Sequence, residues 1–235
     1  MTTAALVEIE NLGFAWPGQA ECLDIRRFSL ARGETLFLEG PSGSGKTTLL
    51  GLLGGVQRPT RGQVRLLGQD LGQLATARRD RFRVDHSGFL FQQFNLLPFL
   101  SVLDNVLLPC QFSALRRERA STRHGDPQRA ALTLLHALGL SDPSLPGRPA
   151  RELSIGQQQR VAAARALIGQ PELVIADEPT SALDSDHRDA FLHLLFAECA
   201  AAGAGLLFVS HDRSLAGRFD RHLPLAQLNA VRPET

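Results

Sequence analysis

Glu39-Gly40-Pro41-Ser42-Gly43-Ser44-Gly45-Lys46-Thr47-Thr48 follows the apolar run Thr35-Leu36-Phe37-Leu38 and precedes Leu49-Leu50-Gly51-Leu52-Leu53. The first run reads as a buried strand and the second as a helix, the context that a G-x-x-x-x-G-K-[ST] phosphate-binding loop requires. Its glycines let the backbone curl until successive N–H groups point at an anion, and the helix start behind them adds partial positive charge. Lys46 is expected to reach the β- and γ-phosphates of a nucleotide, and the Thr47 hydroxyl to ligate Mg²⁺. Lys46 is also the only lysine in the chain, since every other residue in the Lys+Arg total of 25 is arginine. A chain that uses arginine for all its other cations keeps lysine where a compact charge fits between phosphates and a planar fork does not.

With 235 residues and 43% hydrophobic content, the chain can bury a full core. A formal net charge of +1 gives no reason to expect a nucleic-acid groove. The clusters Arg78-Arg79-Asp80-Arg81-Phe82-Arg83 and Arg116-Arg117-Glu118-Arg119 read as solvated faces, because acidic residues interrupt both. Cys22, Cys110 and Cys199 are odd in number and widely spaced, which fits a reducing compartment with neither a disulfide framework nor a zinc pattern. Met1 to Glu10 lacks the basic and apolar regions of a signal peptide. The run from Ala190 to Val209 imitates a membrane span in length, but Ala202-Gly203-Ala204-Gly205 divides it into a helix and a short strand. The chain therefore reads as soluble.

Further strands are expected at Val7-Glu8-Ile9-Glu10, with Phe28-Ser29-Leu30 as its partner, at Gln63 to Leu67, and at Ser87 to Phe91, which runs into Gln92-Gln93. Trp16, at a strand end before Pro17-Gly18, suits either core packing or stacking on a purine. From about Asn95 to Arg160 helical patterns dominate, with Asp126-Pro127 as a helix start and Pro143, Pro146 and Pro149 as a stiff connector. Ser154 and Gly156 mark another helix start, a second place where free N–H groups suit an anion. The strand Leu173-Val174-Ile175-Ala176 delivers Asp177 and Glu178 at its carboxyl end, where ligand sites lie in open parallel sheets. Asp177 suits Mg²⁺ and Glu178 suits polarising an attacking water. Ser181-Ala182-Leu183-Asp184 leads into a helix, and the strand Leu206 to Val209 ends in Ser210-His211, a histidine that is either structural or placed to touch a terminal phosphate.

Together these stretches resemble the ATP-binding-cassette (ABC) ATPase family over essentially the whole chain. GPSGSGKT at 40–47 is similar to its Walker A loop and LVIADE at 173–178 to its Walker B strand. Gln92 matches the Q-loop, Leu153-Ser154-Ile155-Gly156-Gln157 the signature, Ser181-Ala182-Leu183-Asp184 the D-loop and His211 the switch histidine, and Trp16 sits where the family places an adenine-stacking aromatic. The resemblance implies an α/β fold: a RecA-like P-loop core at about 1–92 and 161–235, with an antiparallel β subdomain, and a helical subdomain at about 93–160 that carries the signature. It implies Mg²⁺ on Thr47, Gln92 and Asp177, and catalysis by Glu178 with His211, Lys46 and Gln92. It also implies a head-to-tail homodimer in which Ser154, Gly156 and Gln157 of one copy complete the ATP site of the other. A separate membrane permease would receive the stroke at a surface that includes Phe94 to Leu100, placing the chain on the cytoplasmic face of the inner membrane, with a periplasmic adaptor or acceptor as a further candidate partner.

FQQFNLLPFLSVLDNVLLP at 91–109 is most similar to the macrolide-efflux and lipoprotein-release branch, so export or extraction is expected. Cell-division ATPases that control cell-wall hydrolysis are the nearest alternative. A nucleic-acid-linked ATPase of the same fold would carry a second cassette, coiled-coil insertions or basic arms, and a small-molecule kinase would leave 153–157 unexplained. One departure stands out: the third signature position, usually glycine, is Ile155. A β-branched residue takes positive φ only at a cost, so less snug phosphate contact and modest turnover are expected.

Overall fold

The computed structural model describes residues 5–41, 43–181 and 183–231. They divide into two units, one formed by the chain up to Arg83 together with the part from Gly205 onward, the other by Val84–Ala204.

In the first unit β1 (Ala5–Ala15) and β2 (Glu21–Ala31) pair antiparallel, with Ile9 opposite Phe28 and Leu12 opposite Ile25. Val7 and Ile9 are buried while Glu10 faces solvent, the alternation of a half-buried strand. β3 (Thr35–Glu39) leads through the phosphate loop into α1 (Lys46–Leu53). β4 (Arg61–Leu66) joins the other edge of β1, and the short β5 (Gln69–Asp70) closes that sheet in the order β2-β1-β4-β5. α2 (Thr76–His86) follows. Its arginines are not all solvated as expected: Arg79 is buried, and its Nε donates to the Gly55 carbonyl at 2.9 Å. Just beyond the end of α1, that carbonyl attracts a cation from the next helix.

The second unit takes in the end of α2 from Val84, then β6 (Ser87–Leu90), and continues through α3 (Val102–Phe112), α4 (Ala114–His124), α5 (Pro127–Ala137) and α6 (Ile155–Leu167) to β7 (Leu173–Asp177) and α7 (Ser185–Ala202). Asp126 caps α5 by accepting from the Arg129 N–H at 2.8 Å, with Pro127 in the first turn. The proline-rich connector is held by an isolated bridge between Ser101 and Pro149. β6 and β7 run parallel. A Cβ added to Gly88 in β6 would stand 2.2 Å from the Ala166 carbonyl oxygen, so β6 and α6 meet backbone to backbone.

Arg116 corrects the other solvated-face expectation. It is fully buried and donates to the carbonyls of Ile168 (2.7 Å), Ala166 (2.6 Å) and Ser87 (3.3 Å). Ala166 lies in the last turn of α6 and Ile168 caps it, where carbonyls lack intrahelical donors and carry the negative end of the helix dipole. Burial pushes the Arg116 guanidinium down to about 10, which leaves it charged at neutral pH.

The chain then returns to the first unit. α7 ends at Gly203, which takes the left-handed conformation (φ 63) and releases β8 (Gly205–Ser210). No helix among the described residues is long and apolar enough to cross a membrane. β8 pairs parallel with β3, and β9 (Arg221–Pro224) flanks β3 on its other side. α8 (Leu225–Leu228) is the last helix among the described residues.

Candidate functional site

The phosphate loop is built by backbone geometry that few residues other than glycine adopt. Gly43 (φ 78) and Gly45 (φ 95) are left-handed, and a Cβ on Gly40 would lie 2.7 Å from Ser44 Oγ. Lys46 Nζ crosses the loop and donates to the carbonyls of Gly40 (2.6 Å) and Pro41 (2.8 Å). No side chain caps α1 at Gly45, and the helix start turns its partial positive charge toward an anion. Ser44 Oγ is buried without a hydrogen-bond partner. Such an orphan costs about 1–3 kcal/mol, and a phosphate oxygen would satisfy it, so the loop fits a nucleotide. Thr47 is exposed in the first turn of α1, and Thr48 is half-buried behind it. Ser42 lies outside the described residues.

Strand register brings one more candidate, His211, to this end of the first unit. Ser210 pairs with Glu39, so His211 leaves β8 level with Gly40. Trp16 follows β1, partly exposed, with its ring edge-on to Phe14 at 5.1 Å. Sequence reasoning missed Glu39 itself. Its carboxylate accepts from His222 Nε2 and Arg213 Nε, each at 2.7 Å. Desolvation works against the charge, but these two partners hold the carboxyl below its ordinary range. The acid at the mouth of the loop is thus tied to β9 and to the 213–218 turn. An acid abutting the motif was the only available signal.

In the second unit β6 and β7 pair as far as Leu90 and Ala176, so Gln92 emerges level with the acids Asp177 and Glu178. Glu178 takes φ 47, a strained conformation for a residue with a side chain. The turn beyond it is closed by Ser181 N–H to the Glu178 carbonyl. Gln159 of α6, fully buried, donates to the Pro179 carbonyl at 2.7 Å and so links that helix to the acid-bearing loop. Asp184 caps α7 through the His187 N–H at 3.0 Å, with Leu183 half-buried before it, while Ala182 lies outside the described residues. Among the described residues no three His, Cys, Asp or Glu side chains cluster as a metal site. Mg²⁺ commonly takes one or two protein oxygens and completes its shell with phosphates and water.

At the start of α6, Ser154 and Gln157 form a capping box. Ser154 Oγ accepts from the Gln157 N–H at 3.3 Å, and Gln157 Oε1 accepts from the Ser154 N–H at 3.0 Å. The N–H groups of Ile155 and Gly156 are the ones this arrangement leaves for an external acceptor. Leu153 is buried before them. Ile155 does not adopt positive φ; it is the first helical residue, and its side chain is 55% exposed. The steric argument for a looser site fails, because the helix start asks nothing of position 155 that a β-branched residue cannot supply.

Residues 23–181 match the ABC transporter family. The chain belongs to that family. It is 45% identical over 194 residues to the uncharacterized ABC transporter ATP-binding protein YbbA of Escherichia coli (strain K12), covering 83% of this chain and 81% of that one. It is 37% identical over 218 residues to the lipoprotein-releasing system ATP-binding protein LolD of Porphyromonas gingivalis, covering 93% and 95%. Among solved structures, the dimeric ATP-binding cassette MJ0796, in a post-hydrolysis state bound to ADP and Pi, superposes with a TM-score of 0.75 at 31% identity, covering 93% of each chain. This ABC protein is therefore an ATP-binding and ATP-hydrolysing subunit of a transporter, with the cassette fold that the motifs implied.

Proposed function

We propose that this ABC ATPase works as a head-to-tail homodimer that drives a separate permease in export or extraction, with a lipoprotein or similar lipidated cargo. The observation that carries the dimer is the start of α6. Its outward N–H groups at Ile155 and Gly156 suit a phosphate, yet the capping box leaves them without an acceptor in their own helix. A second copy would bring its γ-phosphate there, and the cassette MJ0796, itself dimeric, supports a dimer. The likeness to the lipoprotein-releasing LolD supports the cargo class.

In this reading Lys46 and the loop hold the β- and γ-phosphates, and Trp16 stacks on the adenine. Thr47, Gln92 and Asp177 are the residues that would hold Mg²⁺, and the ion would neutralise phosphate charge. Glu178 takes a proton from the attacking water as its oxygen bonds to the γ-phosphorus and ADP departs. His211 donates to the terminal phosphate. The permease docks on exposed apolar side chains of the second unit: Phe91, Leu97, Phe99 (79% exposed) and Phe112. Asn105 shapes that surface from beneath, accepting from the Leu97 N–H and donating to the carbonyls of Leu97, Leu100 and Ser101. Docking there would hold the chain at the cytoplasmic face of the membrane.

The test is light scattering on Glu178→Gln with and without Mg-ATP. The variant should bind ATP, double in mass, and hydrolyse roughly 10²- to 10⁴-fold more slowly than the wild type. A monomer in both conditions would remove the dimer, and undiminished turnover would remove Glu178 as the base.

A further inference from the structure

After Gln92 the chain turns back at once. The Phe94 N–H donates to the Phe91 carbonyl at 2.9 Å, and the Asn95 N–H to the Gln93 carbonyl at 2.6 Å. Two consecutive left-handed residues make this turn, Phe94 (φ 57) and Asn95 (φ 50), and neither is glycine. Asparagine tolerates that conformation and phenylalanine does so poorly. The Phe94 ring is only 7% exposed, so packing keeps a large residue where the backbone would favour none. Such a turn persists only if its surroundings hold it.

The holding group comes from α6. Arg165 Nη2 donates to the Phe94 carbonyl at 2.5 Å and Nη1 to the Asn95 carbonyl at 2.6 Å. A planar guanidinium presents two N–H groups side by side to two carbonyls, which a lysine ammonium cannot do with the same rigidity. Arg116, near the same end of α6, serves the helix's own carbonyls and Ser87; Arg165 reaches outside it. α6 thus carries the signature N–H groups at its start and a grip on the Gln92 turn near its end.

We infer that Arg165 is a positioning residue for Gln92: its fork locks the 91–95 turn in the left-handed form and makes the reach of Gln92 follow the orientation of α6. This rests on the reading in which Gln92 serves the nucleotide-bound metal. Arg165→Met should lower kcat about tenfold or more, the scale of a misplaced catalytic group, with KM for ATP little changed, because the phosphate loop is untouched. Arg165→Lys, able to hold one carbonyl at a time, should fall between, and it serves as the test should the methionine variant not fold. Asn95→Gly removes the smaller share of the turn's left-handed cost, the larger being at Phe94, so adding it to Arg165→Met should restore part of the lost rate. Amide exchange across 91–96 should quicken in Arg165→Met and slow again in the double variant.

Wild-type turnover in Arg165→Met, or a well-folded double variant that recovers nothing, would overturn the inference. The exchange measurement needs no nucleotide, so it separates the two readings. Unchanged exchange in Arg165→Met defeats the role of Arg165 even where Gln92 is essential. Gln92→Ala turning over at full rate defeats the role of Gln92 even where the exchange behaves as expected.

Discussion

Ile155 sits where a phosphate would meet the start of α6, yet its side chain faces solvent and its backbone is ordinary helix. The contact such a position offers is its N–H, which every residue but proline supplies. Ile155→Gly should therefore cost no more than about 1 kcal/mol of stability, the penalty of glycine in a helix, and ATP hydrolysis should not slow. A steady-state assay checks this, and a large loss of rate would show that the isoleucine side chain itself touches the partner or its nucleotide. The same residue shows why some of the site was legible and some not. Lys46 was legible because glycine and lysine spacing encodes a backbone path directly. The conformation at 155 was not, because whether a position needs positive φ depends on where the helix begins. Arg116 and Arg79 misled for a related reason: an arginine in a cluster that an acid interrupts looks solvated until some other element's carbonyls claim it.

At the scale of elements, Glu172 joins three of them just before β7. It accepts from His86 Nδ1 at the end of α2 (3.0 Å) and from Arg119 Nη2 of α4 (2.7 Å). Burial pushes its carboxyl up, but these two partners outweigh burial and hold it at about 2. A carboxyl lowered in the folded state adds stability above its unfolded value near 4.3 and loses it as pH falls toward 2. The displacement corresponds to about 3 kcal/mol. Glu172→Gln should thus melt well below the wild type at pH 7, and the gap should close between about pH 4.5 and pH 2. A gap that stays constant across that range would mean the carboxylate charge is not what joins the elements. Elements also differed in how plainly they could be read. α5 announced itself through Asp126-Pro127, and the break at Gly203 separated α7 from β8. β9 went unseen, because a four-residue strand at the end of its sheet, closing on Pro224, shows no alternation. The level at which Gln92 meets Asp177 and Glu178 is likewise a property of strand register, which no single segment contains.

For the molecule as a whole, the composition supplies its own reporter. Lys46 is the one side-chain amine in 235 residues. It is 9% exposed and hydrogen-bonded across the loop, so an amine-reactive probe should label it slowly in the free protein and not at all at saturating ATP, apart from the α-amino group. Peptide mapping reads the outcome, and labelling of Lys46 that ignores ATP would detach the phosphate loop from nucleotide binding. The family was legible across nearly the whole chain because its motifs are short, ordered and each tied to backbone chemistry. Cargo was not legible, since none of those motifs touches it. Gly88 sets a different kind of limit, on descent. With the Ala166 carbonyl oxygen 2.2 Å from where a side chain would begin, no substitution fits there unless α6 moves outward, carrying Ser154 at one end and Arg165 at the other. At Gly88 inheritance is shut: a single methyl group would disturb both ends of that helix in one step.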